Sequence, residues 1–241
     1  MFNGKTYWIV GASEGLGREL ARALSTAGAR VILSARSEDR LRDLADELTG
    51  AEIAPLDATD RDSIIANAPD AAEIDGIIYC AGVYDPMRAQ DWDADKVALM
   101  FDVNLRGAVN VLGRVVPAFA KRDSGHIVLI GSLAGYRGLP GSIGYSASKS
   151  GLIALGESIY ADLRGSGVKV QVASPGFIKT RLTDKNDFDM PQIMTPEDAA
   201  DHVMRIMRGG ALHASFPRPF SWFFKWGRFL PAGLFYRLTG K

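Results

Sequence analysis

Six short, nearly all-apolar runs recur along the chain: Tyr7–Val10, Val31–Leu33, Ile53–Leu56, Ile77–Cys80, Ile127–Ile130 and Val168–Ala173. Runs of this length and composition suit strands buried on both faces of a parallel sheet. Helical patterns lie between them. Leu41, Leu44, Ala45 and Leu48 follow the i, i+3, i+4, i+7 spacing, and Met100, Phe101, Ala108, Val111, Leu112, Val115 and Phe119 mark a longer helix. Thr195 reads as an N-cap, with Pro196 at the first helical position and Asp198 at the third. A last short strand is expected over Leu212–Phe216. Alternation of this kind predicts an α/β fold, a doubly wound parallel sheet of the Rossmann type, in a single domain over residues 1–241.

The composition narrows the function classes. The chain has 241 residues, 47% of them hydrophobic, and a formal net charge of zero, so no nucleic-acid partner is expected. Cys80 is the only cysteine, which excludes an intramolecular disulfide and argues against a thiolate zinc site. His126, His202 and His213 are scattered without ligand spacing, and no metal is expected; each reads as a surface or locally bonded histidine. The chain enters a strand-like run at Lys5–Val10 without the regions of a signal peptide, and no apolar run reaches the length of a membrane span. The cytoplasm is the expected compartment.

Gly11-Ala-Ser-Glu-Gly15-Leu-Gly17 follows the first strand and opens a helix. Glycines there let backbone approach a pyrophosphate, whose charge the helix N-terminus favours. The second strand ends Leu33-Ser34-Ala35-Arg36, where dinucleotide folds that bind NAD usually place an acidic residue on the ribose 2′-hydroxyl. A guanidinium there can instead hold a 2′-phosphate. Arg36, with Ser13 or Ser37 as a hydroxyl donor, therefore points to NADP(H). Downstream, Tyr145 and Lys149 stand four apart where a helix should begin, hence on one face. A nearby ammonium is expected to lower the tyrosine pKa so that the phenol exchanges protons near neutral pH. Ser132 lies thirteen residues before Tyr145, just after the strand Ile127–Ile130. Asn104 is a polar residue on an apolar helical face, which calls for a water or a backbone carbonyl as its partner.

The spacing Gly-x-x-x-Gly-x-Gly and the ordered set Asn104, Ser132, Tyr145 and Lys149 resemble the compact short-chain dehydrogenase/reductase family, and the resemblance extends through Pro175-Gly176-Phe177-Ile178-Lys179-Thr180. It implies that Tyr145 is the general acid/base, that Ser132 hydrogen-bonds the substrate oxygen, and that Lys149 lowers the tyrosine pKa and binds the nicotinamide ribose. It also implies that Asn104 holds a water in the proton relay. The cofactor would be held by Gly11, Ser13, Gly15, Leu16, Gly17, Arg36, Asp57 near the adenine, Ala81, Gly82, Tyr145, Lys149, Pro175, Gly176, Ile178 and Thr180. The partner would be a small carbonyl or alcohol, and the assembly a homodimer or homotetramer packed through Val97–Lys121 and Tyr145–Ser166. The chain departs from the family pattern at Val10, at Glu14 and at Tyr79-Cys80. A non-catalytic NADP-binding sensor is the alternative, against which the intact tetrad argues. Acylase and epimerase readings lack their companion motifs.

Two segments remain. Arg181–Met194 is expected to form a substrate lid, in which Phe188, Met190, Ile193 and Met194 either line an apolar, adaptable pocket or pack the lid on the body. The extension 217–241 carries Arg218, Lys225, Arg228, Arg237 and Lys241, no acidic residue, and eight aromatics. Helical spacing puts Ser221, Lys225 and Arg228 on one polar face, with Pro231 breaking the helix before Leu234–Leu238. Either 220–238 makes peripheral contact with a membrane or a lipophilic substrate, or the element is buried in the body or a dimer interface.

Overall fold

The computed structural model describes residues 1–239, so Lys241 of the basic C-terminal set lies outside the described residues. Seven parallel strands form one sheet: β1 Thr6–Val10, β2 Arg30–Ser34, β3 Glu52–Ile53, β4 Gly76–Tyr79, β5 Gly125–Ile130, β6 Val168–Pro175 and β7 His213–Phe216, in the order β3-β2-β1-β4-β5-β6-β7. The helices are α1 Gly15–Thr26, α2 Glu38–Glu47, α3 Arg61–Asn67, α4 Ala94–Phe101, α5 Gly107–Lys121, α6 Ile143–Asp162, α7 Pro196–Arg208, α8 Phe220–Gly227 and α9 Ala232–Thr239. Side chains alternate across the sheet. Ile127 and Leu129 of β5 enter the layer with Val111, Val115 and Phe119, whereas Val128 and Ile130 enter the layer with Leu20, Val203 and Met207. Burial on both faces is why the central strands are mostly apolar.

Every expected strand is present, and β3 is the shortest because only two residues pair at the sheet edge. Thr195 caps α7 by accepting the Asp198 N–H at 3.1 Å. The long helix around Met100–Phe119 is three pieces in continuous succession. Between α4 and α5 the turn Asp102–Arg106 is a π-helix, whose wider turn inserts a residue into the helical register. The result places Asn104 fully inside the protein.

The C-terminal helix differs from its expected polar stripe at one residue. Ser221 does not share an exposed polar stripe with Lys225 and Arg228. It is buried with Phe224 and Gly227, and its hydroxyl donates to the Ser215 carbonyl of β7 at 3.2 Å. A polar side chain can face inward here because the end of the sheet offers it an acceptor. Pro231 separates α8 from α9, as expected.

Near the amino ends of the strands, His126 sits in a buried relay between the Tyr7 hydroxyl (2.9 Å) and the Gln171 amide oxygen (2.9 Å). Burial holds its pKa down at about 4, against an ordinary 6.5. The unfolded chain therefore binds a proton near pH 6.5 that the folded chain refuses until about pH 4. Stability is complete above pH 6.5 and falls as pH drops through that window, by about 3 kcal/mol at most. Urea unfolding at pH 7 and pH 4.5 should show this loss, and His126→Gln should flatten it; an unchanged pH dependence in the variant would remove His126 as its source.

Candidate active site

The strand order reverses between β1 and β4, since the chain runs outward from β1 to β3 and then returns to β4 on the other side. Ligands of open α/β sheets bind outside the carboxyl ends of the strands at such a reversal. Here a cleft of about 400 Å³ opens at that place. Gly11, Ser13, Gly15, Leu16, Gly17, Arg36, Asp57, Ala81, Gly82, Tyr145, Lys149, Pro175, Gly176, Ile178 and Thr180 all line it. Two glycines are sterically required. Gly11 has φ +94°, and a Cβ on it would lie 2.5 Å from the Ala81 nitrogen; a Cβ on Gly17 would lie 2.0 Å from the Gly11 carbonyl oxygen. The first turn of α1, Gly15 to Gly17, lines the cleft and carries no acidic residue, so its N–H groups present the positive end of the helix there. A bare backbone cradle at a helix N-terminus, with Arg36 exposed on its rim, fits a dinucleotide with an added phosphate.

Other groups on this rim did not stand out in the sequence. Arg40, in the first turn of α2, also lines the cleft and pairs with Glu14 at 3.0 Å. Glu14 also pairs with Arg181 at the start of the lid segment. The acidic residue at position 14 is therefore neutralised by two guanidinium groups. Arg40 stands only four residues after Arg36 in the chain, whereas 167 residues separate Arg181 from Glu14. Asp57 accepts from the Thr59 N–H and hydroxyl, both at 2.8 Å. Burial pushes the Cys80 thiol up to about 12, which leaves it protonated and unreactive.

The four candidate catalytic residues converge from three elements. Tyr145 and Lys149 stand on the first turns of α6, Ser132 follows β5, and Asn104 occupies the π turn. Lys149 Nζ donates to the Ile130 carbonyl at 2.8 Å and lies 5.9 Å from the centre of the Tyr145 ring. Asn104 accepts the Val83 N–H at 2.8 Å and donates to the Val83 carbonyl and to Ser148 Oγ, each at 3.0 Å. Ser148 in turn donates to the Tyr145 carbonyl at 3.0 Å. Asn104 thus ties the loop after β4 to the start of α6. A backbone carbonyl is among the partners its burial called for. Ser148 is a further site residue, signalled only as a small hydroxyl on an otherwise apolar helical face.

The expected lowering of the Tyr145 pKa is not what the structure shows. Desolvation raises it above the ordinary tyrosine value, and the Ser132 hydroxyl offsets part of the rise. Burial also brings Lys149 down to about 8. The same low-dielectric surroundings disfavour the phenolate and the ammonium, and the ammonium is directed at a carbonyl of β5 instead of the phenol oxygen.

A second, smaller cavity of about 130 Å³ adjoins Tyr145 and Ser132. Its walls are mainly apolar, with Leu139, Pro140, Phe177, Phe188, Phe220 and Phe224 among them. Of the four apolar lid residues, only Phe188 lines it. Met194 is core: its N–H donates to the Phe177 carbonyl at 3.0 Å and its own carbonyl accepts from the Lys179 N–H at 2.8 Å. Ile193 is exposed, and the Met190 sulfur meets Asn186. Tyr84, absent from the sequence reading, touches Tyr145 edge-on with ring centres 5.0 Å apart, and its hydroxyl donates to Asn186 at 3.1 Å. Lys185 donates to the Tyr84 carbonyl at 2.9 Å and to the Asp85 carboxylate at 3.2 Å, so three bonds fasten this segment beside the tyrosine.

The chain matches the short chain dehydrogenase family over residues 5–190. An uncharacterized oxidoreductase of Myxococcus xanthus is 39% identical over 222 residues, which cover 88% of this chain and 87% of that protein. A short-chain dehydrogenase from Sphingobium yanoikuyae, solved in complex with NADPH, is 25% identical and superposes with a TM-score of 0.81 over 89% of each chain. A short chain dehydrogenase from Burkholderia cenocepacia, solved in complex with NADP, shares the fold over 100% of this chain and 99% of its own, with a TM-score of 0.89 at 23% identity. Taken with the geometry of the cleft, these matches make the chain a member of the short-chain dehydrogenase family, and an oxidoreductase.

Proposed function

We propose that this short-chain dehydrogenase moves a hydride between NADP(H) and a carbonyl or alcohol, with apolar ketones or aldehydes as its substrate class. One observation carries the reading. Tyr145 borders both cavities, the polar cleft with the glycine turn and Arg36 on one side and the apolar chamber on the other. The Sphingobium relative, solved with NADPH, supports the choice of cofactor. When bound, the nicotinamide supplies the hydride.

The chain's own residues handle the proton and the geometry. The Tyr145 hydroxyl gives its proton to the substrate oxygen as the carbonyl carbon is reduced. Burial disfavours the phenolate, so the phenol is the proton-bearing form at neutral pH. The Ser132 hydroxyl donates to the same oxygen and orients it, in keeping with its place on the wall of the apolar chamber. Lys149 lines the cofactor cleft and would hold positive charge beside a bound ribose. Asn104 acts as a positioning residue through Val83 and Ser148. The enzyme works in the cytoplasm on this reading, with 220–238 available for peripheral membrane contact; among the described residues no helix is long and apolar enough to cross a membrane.

Tyr145→Phe should fold, bind NADPH and lose turnover by about 10²–10⁴-fold with any carbonyl substrate, as removal of a general acid does. Steady NADPH oxidation near the wild-type rate would overturn its role. Wild-type protein should bind NADPH about ten- to a hundredfold more tightly than NADH, the scale of a charge-assisted hydrogen bond. Nucleotide fluorescence titration should show Arg36→Ala losing most of that margin with NADH affinity unchanged. Equal affinities in the wild type would remove the 2′-phosphate contact. The assembly should be a homodimer or homotetramer through α4, α5 and α6, which leave Leu99, Phe101, Val109 and Tyr160 exposed. Light scattering that finds only monomer at micromolar concentration would contradict it.

A further inference from the structure

The C-terminal pair of helices presents two different faces. On the inner face of α8, Phe220 and Phe224 form part of the wall of the apolar chamber next to Tyr145. Their rings are in edge contact, 5.1 Å between centres, and Phe220 lies 5.8 Å from Phe177. On the outer face, Trp222 and Trp226 stand four apart on α8, and Phe229, in the turn just after it, lies 6.2 Å from Trp226 between ring centres. They are strongly exposed, Trp226 at 64% and Phe229 at 72%. Leu234, Tyr236 and Leu238 of α9 are exposed as well. Contiguous exposed aromatics on a folded element mark an interaction surface.

This surface is rigidly built. Arg137, between Ser132 and Tyr145 in the chain, donates to the Gly227 carbonyl at 2.6 Å and the Leu230 carbonyl at 2.8 Å. Its guanidinium also sits over the Phe235 ring, 4.5 Å from the centre. Phe235 is fully buried, and a Cβ on Gly227 would lie 2.8 Å from it. One arginine thus fastens both C-terminal helices to the loop that leads into the catalytic helix.

Charge indicates what the surface meets. Five of the 28 basic residues and none of the 28 acidic ones fall in 217–241, so the rest of the chain carries a net charge of −5. Arg218 stacks over Trp222 at 5.8 Å and Arg228 over Phe229 at 5.3 Å, which places cations among the aromatics. A second copy of the chain would be a poor occupant. A twofold contact pairs a patch with itself, and here cations would face cations. Tryptophan with arginine and lysine is instead the composition that settles at the boundary of an anionic bilayer, rings among the headgroups and cations on the phosphates.

We propose that the outer face of α8 and α9 docks on an anionic lipid surface, and that the carbonyl compound reduced at Tyr145 is a membrane-borne amphiphile. The second half rests on the reductase reading above. It follows from α8 serving at once as the lipid-facing element and as a wall of the substrate chamber.

The test uses full-length protein and two surface variants, Trp222→Ser/Trp226→Ser/Phe229→Ser and Lys225→Glu/Arg228→Glu. Their folding is checked by NADPH fluorescence, and none of these residues lines either cavity. Vesicles of phosphatidylcholine alone and of phosphatidylcholine with an equal part of phosphatidylglycerol are the probes. Wild-type protein should co-sediment with the mixed vesicles at least about tenfold more than either variant, and binding should weaken as salt is raised. With a long-chain methyl ketone dissolved in the mixed vesicles, kcat/KM should fall about tenfold in both variants, while a short water-soluble ketone is reduced as by wild type. Equal sedimentation of wild type and variants overturns the docking surface. So does conversion of the wild-type oligomer to a smaller species in the variants without a difference in sedimentation, which assigns the face to a second copy. Lipid binding with equal kcat/KM on the vesicle-borne ketone overturns the substrate half alone. If no carbonyl oxidises NADPH, the reductase reading fails, and sedimentation still decides whether the face binds lipid.

Discussion

At Gly11, just past the carboxyl end of β1, there is no room for a side chain. The Gly11 and Ala12 N–H groups both donate to the Ser34 carbonyl, at 2.7 and 3.1 Å, while Val10 accepts from Cys80 at 2.8 Å. The backbones of β1, β2 and β4 are thereby drawn together at one point. From that contact α1 starts directly over the gap between β1 and β4, and its first turn faces the cleft. Any Cβ at Gly11 would push β4 away and with it Ala81, Gly82 and Val83. Val83 is the residue that Asn104 grips from behind. The steric constraint at the glycine turn is thus transmitted through β4 to the loop beside Tyr145, so the cofactor cradle and the proton donor are set by the same close packing.

The π turn completes that linkage. In an uninterrupted α-helix the residue at 104 would keep its place in the 3.6-residue register of α4 and α5. The wider turn changes this register and sends the amide inward, where both ends of it find partners. A buried amide costs little when each donor and acceptor is bonded, and much when one is stranded. Its three bonds are to backbone or to a hydroxyl that is itself bonded to backbone, so Asn104 is held as firmly as the elements it joins.

The sequence made the sheet readable because burial on both faces leaves a central strand little reason to carry polar residues, as in β1 and β4, whereas the edge strands β3 and β7 carry Glu52, His213 and Ser215 and are less buried. The glycine turn was readable for a related reason: three glycines at the end of a strand have no other use at that density. What could not be read was anything that depends on long-range packing. The pairing of Glu14 with Arg40 and Arg181, the bonding of Tyr84 to the lid and the clamp made by Arg137 all join residues distant in the chain. Helical spacing put Ser221 with Lys225 and Arg228, because a helical wheel does not show that β7 offers a carbonyl on the other side. Spacing also brought Lys149 onto the face of Tyr145 correctly, yet the sign of the tyrosine shift followed from burial, which no spacing reveals.

That sign has a consequence for how the site is balanced. Moving Lys149 from water into the cleft brings its pKa from 10.5 to about 8, so the charged form is disfavoured by roughly 3 kcal/mol relative to solution. The Ile130 carbonyl is the hydrogen-bond partner its ammonium has here, and a neutral dipole offsets only part of that desolvation. Tyr145 stays neutral for the same reason and supplies no counter-charge. At neutral pH the cleft therefore contains a buried positive charge, with the positive end of α1 and Arg36 bordering the same space. A polyanion placed among these groups would interact favourably with each of them. A dinucleotide phosphate bound among them should therefore raise both the stability of the fold and the protonation of Lys149, since ligand and proton binding are linked through one free energy. The hydrophobic layers on either side of the sheet carry the cost of holding that arrangement ready, which is the physical reason so apolar a core surrounds so polar a cleft.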